Sequence, residues 1–159
     1  MSSSLKFLLD FLAEHHLPVC RALSSSLTST SIVSHDKLHI CLFEYAHGQP
    51  LNFQDWTWMT NEEIVRGLGR WMARLHRLTR RFLDEKPHLR CHARHWKSLH
   101  EGVLSQVSVD ERDQAKESDR SSFGLIHGDI NVSNYFWDAS QQLPSMFDWD
   151  QLQMSWFLY

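Results

Sequence analysis

Glycine is scarce in the first third of the chain. The 159 residues hold six glycines, and none precedes Gly48, which excludes a glycine-rich phosphate loop from the first 47 positions. Lysine is equally thin there: Lys6 opens a helical pattern and Lys37 sits in a turn signal, so neither reads as a buried strand lysine. Cys20, Cys41 and Cys91 are widely spaced and form no paired motif. That excludes a disulfide framework and fits thiols in a reducing compartment. Basic residues form no long run and the net charge is −3, which gives no electrostatic reason to expect a nucleic-acid partner. Long apolar runs are also lacking. Leu5, Phe7, Leu8, Leu9, Phe11 and Leu12 are interrupted by Asp10 and have no basic leader, so neither a signal peptide nor a membrane span is expected and cytoplasmic residence is the default. What is abundant is core material: 42% hydrophobic residues, with seven tryptophans and nine phenylalanines, suit one folded domain.

The most informative stretch is Leu125 to Asp150, LIHGDINVSNYFWDASQQLPSMFDWD. His127, Asp129 and Asn134 stand at the spacing H-x-D-x-x-x-x-N, and an apolar approach leads to Asp148. Phosphoryl transfer needs a carboxylate to orient a hydroxyl and take its proton, and a divalent cation to neutralise charge on the β and γ oxygens. Asp129 suits the first role. Asn134 offers the cation a neutral oxygen without repulsion between carboxylates, and Asp148 completes the site. His127 reads as an orienting group rather than a base, and Gly128 permits a tight backbone path. Tyr135 to Trp137 and Ser145 to Trp149 read as the two strands of a hairpin turning through Asp138 to Leu143, which brings Asn134 and Asp148 together. A metallophosphoesterase would also use Gly-Asp among many histidines, but no upstream D-x-H accompanies it.

HGDINVSN followed by MFDWD resembles the motif pair of the aminoglycoside phosphotransferase and choline kinase-like family, small-molecule kinases of the protein kinase-like fold. Gly128 stands where protein kinases carry an arginine, and Trp149-Asp150 follow the metal aspartate in place of Phe-Gly. The resemblance implies an α+β chain: a remnant of the N-lobe, helix plus hairpin, over residues 1–47, then the first half of a mostly helical C-lobe over 48–159. It also implies ATP and Mg2+. By position, Phe43 borders the adenine while the Glu44 carbonyl and the Ala46 amide read its edge. Ala73, Leu75 and His76 resemble the A-x-L-H end of the central C-lobe helix, with His76 as a packed histidine.

The rest of the chain fits that outline unevenly. Residues 4–16 predict an amphipathic helix with Leu5, Leu8, Leu9 and Leu12 on one face, stopped by Pro18. Ser24 to Ser34 reads as β-rich, with a turn at Ser34 to Lys37 and a strand from Leu38 to Tyr45 whose Leu38, Ile40 and Leu42 alternate. Residues 61–83 give the clearest helix, with Thr60 and Glu63 as a capping box, Arg77, Arg80 and Arg81 toward the end, and a close contact expected at Gly67 and Gly69. His88, Cys91, His92, His95 and His100 crowd one segment. With a single cysteine among them, a polar helix face or substrate-side surface is favoured over a zinc site. Val103 to Ser122 predicts a short helix and a loop. Trp156 to Tyr159 predicts an apolar run packed on a following helix.

The function expected is ATP-dependent phosphorylation of a hydroxyl on an amino sugar, a choline-like compound or another small alcohol, by a chain that is incomplete as an enzyme. The competing expectation is a non-catalytic kinase-like fragment that binds a protein partner through its hinge edge and C-terminal apolar patch. Neither reading involves a membrane.

Overall fold

The computed structural model describes residues 3–52, 54–92, 94–96, 119 and 121–157. In chain order these form α1 (Ser3–Glu14), β1 (Val33–His35), β2 (Leu38–Ile40), β3 (Gln49–Pro50), α2 (Thr57–Thr60), α3 (Glu62–Glu85), a 3-10 segment Pro87–His92, β4 (Arg94–His95), β5 (Phe123–Ile126), a 3-10 turn Val132–Asn134, β6 (Tyr135–Asp138), β7 (Leu143–Met146) and β8 (Gln153–Trp156). The strands make a ribbon β1-β2, a sheet β3-β6-β7, and a sheet β4-β8-β5 in which only the β4-β8 pair is parallel. Among the described residues no helix is long and apolar enough to cross a membrane.

α1 presents the predicted leucine face, with Leu8, Leu9 and Leu12 buried. It ends before Pro18. His16 adopts a left-handed φ of 57°, while Leu17 N–H donates to the Leu12 carbonyl at 3.0 Å and His16 N–H to Ala13 at 2.9 Å, the paired closure of a Schellman motif. The following strap lies along β7: Met146 N–H donates to the Pro18 carbonyl and Cys20 N–H to Met146. Trp71, fully buried on α3, donates its indole N–H to that same Pro18 carbonyl at 3.1 Å. One carbonyl thus links the strap, the long helix and the sheet.

α3 buries Ile64, Trp71, Leu75, Leu78, Phe82 and Leu83 along the predicted stripe. Its cap is Asn61, not the expected Thr60 with Glu63; Asn61 Oδ1 accepts from the amides of Glu63 and Ile64, satisfying donors that the helix leaves open. The helix runs on to Glu85, so the three arginines fall short of its last turn. Gly67 is explained by packing, since a Cβ there would enter the Trp137 ring and stand 2.7 Å from the Gln142 carbonyl oxygen. Gly69 meets nothing within 4 Å, and the structure offers no reason for it.

Several expectations are corrected. Ser24 to Ser34 is a turn closed by Ser25 and Thr30, and strand begins only at Val33. The strand from Leu38 stops at Ile40, and Leu38, Ile40 and Leu42 are all exposed, because the two-stranded ribbon carries no covering layer among the described residues. The return strand of the catalytic hairpin is Leu143–Met146, since the Asp138 side chain caps the turn by accepting from Ser140 and Gln141 and sets Asp138 opposite Leu143. The histidine-rich segment is a 3-10 turn followed by a strand, not a helix face. Residues 153–156 form the central strand of their own sheet, where Trp156 pairs with Phe123, while Leu158 and Tyr159 of the expected apolar run lie outside the described residues. Residues 103–118 and 120, read as helix and loop, lie outside the described residues, as does His100.

Candidate active site

β5 is buried along its whole length and is tied to α3 by the Thr79 hydroxyl, which donates to the Leu125 carbonyl at 3.1 Å. It delivers His127, which has no exposed surface. The imidazole has two assigned bonds. Nδ1 accepts the Asp129 N–H at 3.3 Å, which leaves the proton on Nε2 to be donated to the Phe147 carbonyl at 3.0 Å. Burial pushes the pKa of His127 below its ordinary value, against opposing pulls from the Phe147 carbonyl, Asp129, Asp148 and Asp150. With both ring nitrogens engaged, the Nε2 proton is committed to the Phe147 carbonyl.

Gly128 has φ +88°, and a Cβ on it would overlap the Gln151 carbonyl. Both facts require glycine. The loop then closes on Asp129. Its Oδ1 accepts from the Asn131 amide at 2.9 Å and its Oδ2 from Asn134 Nδ2 at 2.9 Å, while Asn134 Nδ2 also reaches the Asp129 carbonyl at 3.0 Å. Asn131 caps the 3-10 turn through Ser133 N–H, and Asn134 ends that turn buried. Asn134 Oδ1 faces the Ser133 hydroxyl at 3.1 Å.

The last rung of the catalytic hairpin is Phe147 N–H to the Asn134 carbonyl at 3.0 Å. Phe147 is therefore held on both sides, its N–H by Asn134 and its carbonyl by His127. Asp148 comes next, exposed and with φ +60°, a strained conformation for a residue with a Cβ and one found preferentially at functional positions. Trp149 is buried between His127 and Trp71, with ring centroids 4.5 and 6.0 Å away.

Facing this loop is the expected hinge. Glu44 N–H donates to the Arg21 carbonyl at 2.9 Å, and the Glu44 carboxylate takes Arg21 Nε at 2.9 Å and Arg21 N–H at 3.2 Å. The hydrogen bond from Arg21 is the main reason the Glu44 carboxyl sits below the usual carboxylate range. Its side chain is thus occupied. Ala46 is buried, His47 N–H donates to Ser145 Oγ of β7, and Gly48, at φ +100°, lets the chain pass against Trp137 into β3. The hinge is thereby fastened to the catalytic hairpin through β3 and β6.

Between hinge and hairpin lies a cavity of about 860 Å3. Phe43, Glu44, Tyr45 and Ala46 line one side; Phe136, Phe147, Asp148 and Asp150 line another. Predicted residues Phe43, Glu44, Ala46 and Asp148 thus share one chamber, while Asp129, Asn134 and His127 are bonded to its floor without lining it. Cys20, buried and free, and Arg94 also line it. Cys20 reads in the sequence only as a thiol, and Arg94 drew no attention there because it stood among histidines that offered a louder pattern. His76 stacks on Phe157 at 4.2 Å and is pushed down to about 4 by burial and then by Arg80, so it packs and does not enter the site. Among the described residues no three His, Cys, Asp or Glu side chains gather to hold a metal.

The model of the phosphotransferase enzyme family matches residues 6–159. The chain belongs to that family. Within it, the chain is similar to amicoumacin kinase of Bacillus subtilis (strain 168), 25% identical over 130 residues that cover 74% of this chain and 36% of that protein. Among solved structures it superposes on the amicoumacin kinase hAmiN in complex with AMP-PNP, Ca2+ and Ami, with a TM-score of 0.72 and 19% identity over 99% of this chain and 51% of that one. The fold is accordingly the protein kinase-like fold in part, and the chain spans between about a third and a half of the length of these relatives.

Proposed function

We propose that this phosphotransferase family member is an ATP-dependent kinase of a small-molecule hydroxyl, with residues 1–47 as part of the N-lobe and 48–159 as part of the C-lobe. The observation that carries the reading is the double hold on Phe147. It ties the Asp129–Asn134 loop to Asp148 at the cavity whose other side is the hinge. Asp129 is the base. Its carboxylate is oriented by two amide donors that leave lone pairs for an acceptor hydroxyl.

The donors present fit a hard divalent cation. Asn134 Oδ1 and the Asp148 carboxylate are oxygen ligands of the kind Mg2+ takes, and Asp148 is exposed to receive it. When bound, Mg2+ supplies neutralisation of charge on the transferring phosphate. The hinge fits the nucleotide. Glu44 has its side chain engaged and its carbonyl unbonded among the described residues, Ala46 offers its amide, and Phe43 and Tyr45 give an aromatic wall. hAmiN, which shares the fold, is complexed with the ATP analogue AMP-PNP and with Ca2+, which supports a nucleotide with a divalent ion here. The acceptor is an amino sugar, a choline-like compound or another small alcohol, and the setting is cytoplasmic.

The test is ADP release from MgATP by the full-length protein across a panel of hydroxyl acceptors. Asp129→Ala is expected to abolish transfer while nucleotide still binds; Asp148→Ala is expected to remove Mg2+-dependent nucleotide binding. Turnover retained in the first variant would sink the assignment of the base.

A further inference from the structure

Three carboxylates line the cavity; Glu44 is paired with Arg21, which leaves Asp148 and Asp150 against one basic lining side chain among the described residues, Arg94. A nucleoside triphosphate carries about four negative charges at neutral pH, and one divalent ion offsets only part of that, so a cavity of this sign repels its own ligand unless a fixed cation meets it. Neither N-terminal lysine serves: Lys6 is paired with Asp10 at 2.6 Å on α1, and Lys37 lies in the turn of the β1-β2 ribbon.

Arg94 is placed to do so. Its backbone is fixed by parallel pairing of β4 with β8, Arg94 opposite Gln153 and His95 opposite Met154, and β8 begins a few residues after Asp148. The guanidinium has no carboxylate within ion-pair distance among the described residues. Its contact is Nη1 to Gln151 Oε1 at 3.5 Å, too long to hold the fork firmly. Gln151 in turn donates Nε2 to Asp150 at 3.2 Å. That chain sets the guanidinium at the end of the cavity that holds the metal-side aspartates, away from the hinge.

We propose that Arg94 binds the phosphate chain of the nucleotide, its planar fork taking two phosphate oxygens. The assignment rests on the nucleotide reading of the cavity given above. Arginine suits the task because its charge is permanent and its paired donors match phosphate geometry.

Calorimetric titration of the full-length protein with MgATP and, separately, with adenosine distinguishes the possibilities. Arg94→Ala is expected to weaken MgATP binding roughly ten- to a hundred-fold, the range of a charged hydrogen-bond pair, and to leave adenosine affinity unchanged. Arg94→Lys is expected to recover part of the loss, having the charge without the fork. Unchanged MgATP affinity in Arg94→Ala overturns the proposal and leaves the nucleotide reading standing. So does an equal loss for both ligands, which would mark a merely structural residue, or a raised KM for the acceptor alone, which would move the anion contact to the acceptor. A wild-type protein that binds neither MgATP nor adenosine overturns the nucleotide reading itself, and the role of Arg94 with it.

Discussion

The ribbon β1-β2 and the hairpin β6-β7 are both short antiparallel pairs, and each turns on a residue near φ +52°, Asp36 in the first and Gln142 in the second. Their surroundings differ completely. Leu38 and Ile40 are 64% and 49% exposed, whereas Tyr135 and Met146 are 1% and 0% exposed. The turn chemistry that makes a hairpin is local, but burial is conferred by what packs on it. The second hairpin has α3 on one face, through Gly67 and Trp137, and the Pro18 strap along its edge. The candidate chemistry lies on the buried hairpin: the Asp129–Asn134 loop leads into it and Asp148 follows it. The ribbon precedes the Phe43–Ala46 wall in the chain and carries no candidate catalytic group.

The largest test of this contrast is truncation on each side. Met146→Ala removes a fully buried side chain between the strap and the catalytic sheet and is expected to cost about 2–5 kcal/mol. Ile40→Ala on the ribbon is expected to stay within about 0.5 kcal/mol, as for exposed sites. Urea denaturation of both variants checks the pair; a ribbon variant as costly as Met146→Ala would mean the ribbon is covered in solution.

A smaller test uses the two glycines of α3. Gly67→Ala must push Trp137 off the helix and is expected to destabilise by about 1–3 kcal/mol, the usual cost of overpacking. Gly69→Ala meets open space and is expected to stabilise by up to about 1 kcal/mol from helix propensity. Opposite shifts in denaturation midpoint confirm that α3 buries the hairpin through position 67. Shifts of one sign would place the contact elsewhere.

The same division governs what could be read in the chain itself. The H-x-D-x-x-x-x-N spacing was legible because the chemistry fixes how far apart its groups stand, and α3 was legible because its stripe repeats over about five turns. The ribbon misled because alternation in Leu38, Ile40 and Leu42 signals a face without saying whether anything covers it. Arg94 was missed for a related reason: β4 has two residues, too few for a period, and exists only because β8, far along the chain, pairs with it. Asn61 displaced Thr60 as cap because both are good capping residues and the choice falls to whichever has extended backbone at the helix entrance.

The smallest effect expected is on pH. His127 is buried and His76 half-buried, and desolvation lowers both, His76 to about 4. A histidine lowered on folding binds its proton more readily in the unfolded chain, so stability is full above the unfolded value near 6.5 and falls as pH drops through the window from about 6.5 to 4. The wild type should therefore lose stability across that window. His76→Phe keeps a ring against Phe157 and removes one titrating group, so its denaturation midpoint should fall less between pH 7 and pH 5 than the wild-type midpoint does. If the two fall in parallel, His76 is not buried in its neutral form, and the acid sensitivity must be assigned to His127 beneath the catalytic hairpin.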